Sequence, residues 1–259
     1  MVIIVPVLYV VATPIGNLED ITLRALRVLG EVELIAAEDT RTARKLLNRY
    51  NIKTRLTSYF EHNRREKMPR LLEMLAEKDI ALISEAGMPG ISDPGYELIR
   101  GAIARGAKVE VLPGASALTA ALVVSGLATD QFLYLGFLPR KKGERKRLLS
   151  AVSSEMRTIV CFESPHRVKD SLQAMLEVLG DRQVAVCREL TKLHEEVYRA
   201  RLSEAVTHFK QPRGEFTIVI EGNRDIRKTL QRDRVRTKEE TENARKISQG
   251  SKLSRHGKM

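Results

Sequence analysis

An α/β fold in two units is what this sequence predicts, and three observations predict it. Short β-branched runs alternate with segments of helical spacing, glycine- and proline-containing loops follow several of the runs, and the rhythm resumes after residue 118. The alternation argues for a mostly parallel sheet covered on both faces.

In chain order, "VLYVVAT" reads as a strand and "ITLRALRVLGE" as a helix starting near Asp20, with Leu23, Leu26 and Leu29 on one face. "ELIAAE" is the next strand and "RTARKLLNRYN" the next helix. "RLTSYF" is a strand, followed by a helix through "PRLLEMLAEK" with Pro69 in its first turn. Strand "DIALIS", a glycine loop, helix "YELIRGAIARG" and strand "KVEVLP" follow, and "PGASALTAALVVSG" is an apolar helix opened by a Pro-Gly turn. The second half holds strand "QFLYLGF", the basic segment "LPRKKGERKRLLSAV", strand "TIVCFES" and a helix over "RVKDSLQAMLEVLG". In that helix Val168, Leu172, Met175, Leu176 and Leu179 recur at the spacing of a buried face. Strands "QVAVCREL", "EVYRARL" and "GEFTIVIEG" complete the pattern. The expected division is 1–118, 119–222 and a basic, mobile tail over 223–259, with a ligand cleft between the first two.

The chain has 259 residues and a net charge of +11, unevenly spread. Residues 223–259 hold 12 Lys and Arg against 5 Asp and Glu, leaving 32 against 28 for all the others. A basic tail points to nucleic acid, although solubility alone also accounts for one. No apolar run is long enough to span a bilayer, and "MVIIVPVLYVVA" reads as a first core strand rather than a signal peptide. Cys161 and Cys187 sit in apolar runs without metal-ligand spacing, which fits buried thiols in a reducing cytoplasm and no metal.

The loop "SEAGMPGISDPG" poses a chemical question. A phosphate cradle needs backbone amides and a cation, yet Glu85 and Asp93 flank this one and it holds no Lys or Arg. A ligand with a positive centre and a ribose suits it better, and S-adenosylmethionine has both. "ATPIGNLED" and "AAEDTR" are further loops at strand ends, where open α/β sheets bind their ligands. There Asp20 reads as one helix cap and either Asp39 or Thr40 as the next, while Glu38 and Arg41 are left to face the cleft. Ser116 in "PGASA" is either a cap or a ligand contact.

In this order, "TPIGNLEDIT", "AEDTR", "EAGMPGISDPG", "PGASA", "GFLPR", "ESPHR" and "GEFTIVIEG" resemble the ribosomal RNA small subunit methyltransferase I family of the tetrapyrrole methylase superfamily. The resemblance covers nearly all of residues 8–222. It implies a parallel sheet in the N-terminal domain and a mixed sheet in the C-terminal one. It also implies a homodimer, and 2′-O-methylation of a cytidine ribose in the decoding region of 16S rRNA. By position it assigns the methyl donor to Pro14, Ala86, Gly87, Met88, Ile91, Ser92, Ser116, Ala117, Phe162 and the start of "EFTIV" at Phe216. Many members read Asp-Ala-Gly-Thr where this chain has Glu85-Ala86-Gly87-Met88, so a threonine contact is missing, and members often carry a longer helical C-terminal extension.

A ribose hydroxyl needs orientation or a proton acceptor. His166 is one candidate, and in "ESPHR" it also reads as a plain exposed residue after a Ser164 cap and Pro165; Glu38, Glu85 and Asp93 are alternative bases. Glu163 and Arg167 flank the same helix start. "PRKKGERKR" carries six basic residues and one acid, so Arg140, Lys141, Lys142 and Arg145, with Arg41 and Arg167, are expected to meet RNA phosphates. With 5% aromatics, base stacking is not the main grip, and backbone and shape readout on an assembled particle fits better. Two rival functions remain: a tetrapyrrole C-methyltransferase, and a non-catalytic RNA-binding module.

Overall fold

The computed structural model describes residues 6–209 and 212–223. Apart from Asn223, the basic tail lies outside the described residues.

Five strands build the first unit: β1 Val7–Val11, β2 Leu34–Ala37, β3 Arg55–Ser58, β4 Ile80–Ile83 and β5 Lys108–Leu112. They form one sheet in the order β3-β2-β4-β1-β5, with every neighbouring pair parallel. Helices α1 Leu23–Glu31 and α2 Thr40–Arg49 cover one face, and α3 Arg64–Met74 and α4 Tyr96–Ala104 the other. The side-chain period of two splits β4 accordingly. Ala81 and Ile83 pack under α1 and α2, while Ile80 and Leu82 pack under α3 and α4. Burial on both faces is why β2 and β4 read as unbroken apolar runs.

The second unit holds α5 Ala117–Ser125, β6 Phe132–Phe137, α6 Lys142–Ala151, β7 Thr158–Glu163, α7 Val168–Leu179, β8 Gln183–Arg188, β9 Glu196–Arg201, α8 Leu202–His208 and β10 Phe216–Ile220. Its strand order is β6-β7-β10-β8-β9. Only β6 and β7 run parallel, and the other pairs are antiparallel, so this sheet is mixed. Helices α6, α7 and α8 pack on one face, and α5 covers the opposite face. Residue 118 falls in the first turn of α5, a helix that packs on the second sheet. Cys161 and Cys187 are buried free thiols, and burial raises both pKa values.

Several local expectations are corrected. Asp20 lies in a short 3₁₀ turn, Leu18–Asp20, and α1 is capped instead by Thr22, whose hydroxyl accepts the Ala25 amide at 3.1 Å. Leu23 is 86% exposed; the buried face of α1 is Ala25, Val28 and Leu29. Helix α3 begins five residues before Pro69, which therefore sits inside it, where its missing N–H forfeits one helical bond. Helix α8 was not foreseen: "LSEAVTH" is a short segment between two strands. The Ser164 side chain does not cap α7, which starts after Arg167, so His166 lies in the turn before the helix.

Candidate functional site

Loops after β1 and β4 meet at the carboxyl ends of adjacent strands, at the point where the strand order reverses. Thr13 and Gly87 exchange backbone hydrogen bonds of 2.9 and 3.0 Å and tie the two loops together. Pro14 is buried, and Ile15 inserts into the apolar cluster of the second unit beside Leu122, Val160, Ala185 and Val219. A Cβ on Gly16 would lie 2.5 Å from side-chain atoms of Thr191 and Lys192 and 2.9 Å from the Leu190 carbonyl, so only glycine permits this approach. The Asn17 amide donates to Thr191 Oγ1 at 3.1 Å. The first loop thus fastens one unit to the other, a role that the sequence reading missed.

The glycine loop makes a second bridge. Ser92 has a φ of 62°, rare for a residue with a Cβ, and its hydroxyl lies 2.6 Å from the Tyr134 hydroxyl on β6. Gly136 allows that closeness, since a Cβ there would lie 3.2 Å from Ser92 Oγ. Tyr134 and Phe137 both pack edge-on against Phe162, at centroid distances of 5.3 and 5.6 Å. Gly87 is left-handed at φ 82°, and next to it Ala86 packs beside Ala115 and Ala117. Met88 is half-buried and Ile91 is 48% exposed. Ser116 occupies the N-cap of α5, but its side chain makes no capping bond.

Carboxylates gather at the same edge. The Glu85 amide donates to Glu38 Oε2 at 3.1 Å. Burial raises the Glu38 pKa, with the Glu85 and Asp39 charges adding to it and the Glu85 amide opposing. Asp93 is pushed up to about 7, first by burial and then by the charges of Glu38, Glu85 and Glu215, against a hydrogen bond from Ser84. Glu215 comes from the second unit, just before β10. Arg41 points outward, 89% exposed in its side chain, and pairs with Asp39 at 3.0 Å. Among the described residues, no cluster of His, Cys, Asp and Glu is arranged to hold a metal.

At the carboxyl ends of β6 and β7 the balance is reversed. The Glu163 side chain has no exposure; it accepts from the Ser164 amide at 2.8 Å and Ser171 Oγ at 2.6 Å, and pairs with Arg167 at 2.5 Å. Arg167 also donates to the Leu138 carbonyl at 3.1 Å. Its guanidinium is therefore a strut between two loops, and not the free phosphate contact that the sequence led us to expect. Arg140, Lys141 and Lys142 are exposed as expected, and so is His166 in the turn between β7 and α7. Arg145 is the exception, 5% exposed on the inner face of α6.

Phe216 is also misplaced as a ligand contact. It is 3% exposed and packs against Phe209 in the core under α6, α7 and α8. Its neighbour Thr217, paired with Phe162, shares the α5-facing side with Val219.

A model of the family Tetrapyrrole (Corrin/Porphyrin) Methylases matches residues 7–206. The chain is 52% identical over 219 residues to the Ribosomal RNA small subunit methyltransferase I of Halalkalibacterium halodurans, covering 83% of this chain and 76% of that protein. To the protein of the same name in Thermotoga maritima it is 51% identical over 218 residues, covering 83% and 98%. The solved uroporphyrin III C-methyl transferase from Thermus thermophilus superposes with a TM-score of 0.62 at 20% identity, over 83% of this chain and 97% of that one. A diphthine synthase gives a TM-score of 0.64 at 16% identity, over 83% and 89%. These two structures speak for the fold. The chain belongs to the tetrapyrrole methylase family, in its ribosomal RNA small subunit methyltransferase I branch.

The methyl donor is S-adenosylmethionine. The residues present fit it. The charges acting most on Asp93 are all carboxylates, which suits a sulfonium and ribose hydroxyls and not a phosphate. Gly87 has no Cβ to fill the space beside Ile15 and the Ala115 carbonyl, where one would lie 3.5 and 3.8 Å from them.

Proposed function

We propose that this chain methylates the 2′-hydroxyl of a cytidine ribose in the decoding region of small-subunit rRNA. One observation carries the reading: the carboxyls of Glu38, Glu85 and Asp93 gather around the glycine loop, whose Ser92 meets Tyr134 on β6, and Arg140, Lys141 and Lys142 stand exposed just after that strand. Such a separation of charge suits a cationic donor on one side and a polyanionic acceptor on the other.

In this reading Pro14, Ala86, Gly87, Met88, Ile91, Ser92, Ser116, Ala117 and Phe162 line the donor, with Thr217 in place of Phe216. S-adenosylmethionine, when bound, supplies a methyl group activated by its sulfonium. The protein's own share is alignment, which is worth several orders of magnitude in an in-line transfer. Among the four candidates Asp93 suits a proton acceptor, because burial and neighbouring charges raise its pKa to about 7, and such a carboxyl can take the ribose proton on its carboxylate oxygen and return it to water. Glu38 and Glu85 sustain its raised pKa, and His166 serves as a substrate contact on the basic rim.

The homodimer and the cytoplasmic location belong to the same reading. No helix among the described residues is long and apolar enough to cross a membrane. The test offers labelled donor to purified small subunits and, separately, to a tetrapyrrole precursor. Label in rRNA is the expected result. Label in the tetrapyrrole alone would make the protein a C-methyltransferase, and a protein that binds no donor by calorimetry would be an RNA-binding module.

A further inference from the structure

Arg145 is a buried cation that enters no ion pair among the described residues. It is 5% exposed, and its Nε is enclosed with no hydrogen-bond partner. Glu144, next to it in the chain, pairs with Lys141; Glu177 on α7 pairs with Lys146 and Gln173, and Glu163 at the end of β7 with Arg167 and Ser171. A guanidinium does not shed its proton in a protein, so burial without a partner costs stability here. Arg145 precedes by one turn Leu149, the fully buried residue through which α6 joins the second core. Side chains of a helix lean back toward its N-terminus, which directs Arg145 to the first turn of α6 and the loop before it. That first turn has no side-chain cap at Lys141. Its free amides and the helix dipole favour an anion at the same place. Arg167 fixes the base of this loop through the Leu138 carbonyl, and Arg140, Lys141 and Lys142 stand exposed along it.

We propose that Arg145 anchors an anion site at the N-terminus of α6 that takes one phosphodiester group of the substrate RNA. The proposal rests on the RNA reading above and adds to it one defined pocket. The exposed lysines and arginine attract the backbone, while Arg145 fixes a single phosphate by a charge-assisted bond.

The test follows the arginine Nε–H signals of the full-length protein by NMR, with the Arg145 signal identified as the one absent from Arg145→Lys. Inorganic phosphate and a cytidine-containing hexaribonucleotide are titrated separately. The Arg145 signal is expected to shift with both, and at lower concentration with the oligonucleotide. In parallel, Arg145→Met removes the charge and keeps the volume apolar. It should be at least as stable as the parent, bind small subunits about tenfold more weakly and show a salt slope shallower by about one. A signal unmoved by either titrant would overturn the proposal, as would an Arg145→Met protein of lower stability whose folded fraction binds subunits unchanged. A shift with phosphate alone would mark a site for free anions and overturn the RNA assignment. If Arg145→Met does not fold, the Nε–H titration decides by itself. A wild-type protein that binds no small subunits, with the Arg145 signal still shifting with phosphate, would refute the RNA reading separately from the anion site.

Discussion

Glu163, the last residue of β7, and Asp93, in the loop after β4, are carboxyl groups of the two units, and their surroundings are opposite. Glu163 is fully enclosed and satisfied by a guanidinium, an amide and a hydroxyl. Asp93 is only partly covered and faces three other carboxylates. A compensated buried charge is a structural joint, and removing either partner leaves the other stranded. An uncompensated one is a place where a ligand's charge changes the balance. Arg145, buried with an unpartnered Nε, is the cationic counterpart of Asp93.

The largest expected effect falls on the joint. Glu163→Ala should destabilise the protein by about 3 kcal/mol, read by denaturant unfolding, because Arg167 loses its partner and Ser171 its acceptor. Subunit binding should suffer with it, while donor affinity of the folded fraction holds. A loss of donor affinity alone would mean that the two rims are not separate. Gly87→Val comes next. The left-handed backbone at φ 82° should cost about 1–2 kcal/mol on gaining a side chain, and calorimetry should find donor binding lost while subunits still bind. Packing is a lesser obstacle, since the nearest atom to a Cβ there is 3.5 Å away. A folded Gly87→Val protein of unchanged donor affinity would displace the proposed donor site.

Smaller again is the bridge between the units. Tyr134→Phe removes the hydrogen bond to Ser92 and should cost about 1 kcal/mol, seen as a few-fold weaker donor binding. Asp93 then gives a pH signature. Its folded pKa lies above its ordinary value of 3.8, so the folded state holds a proton that the unfolded state has released. Stability therefore falls as pH rises from about 4 to about 7, and Asp93→Asn should flatten that decline in thermal unfolding. Donor affinity should rise over pH 6 to 8 as the carboxyl ionises toward the sulfonium, and the same variant should abolish the rise. The last and mildest change is truncation after Asn223. It should leave donor affinity intact and make the salt dependence of subunit binding shallower, since 12 of the chain's 44 Lys and Arg lie beyond Gly222.

Much of the fold was legible because its strands are short apolar runs buried on both faces, as in β2 and β4. The start of α3 escaped notice because "RREKM" carries no apolar period, and α8 because seven residues give too little of one. The strand-end loops could be read as a site from their glycines and acids. Their fastening could not, since the Asn17–Thr191 bond joins residues 174 apart and the Ser92–Tyr134 contact joins residues 42 apart. Phe216 was misassigned because sequence gives the alternation of a strand but not which phase faces the ligand. Arg145 looked like one more exposed charge in a basic run. Only packing distinguishes it from Lys142.

The most direct test of the central claim is a map of ribose methylation on small-subunit rRNA from cells lacking this protein, beside the same cells carrying it. Loss of 2′-O-methylation at a cytidine of the decoding region, restored by the wild-type chain and not by Gly87→Val, is the predicted result. An unchanged map would contradict the account.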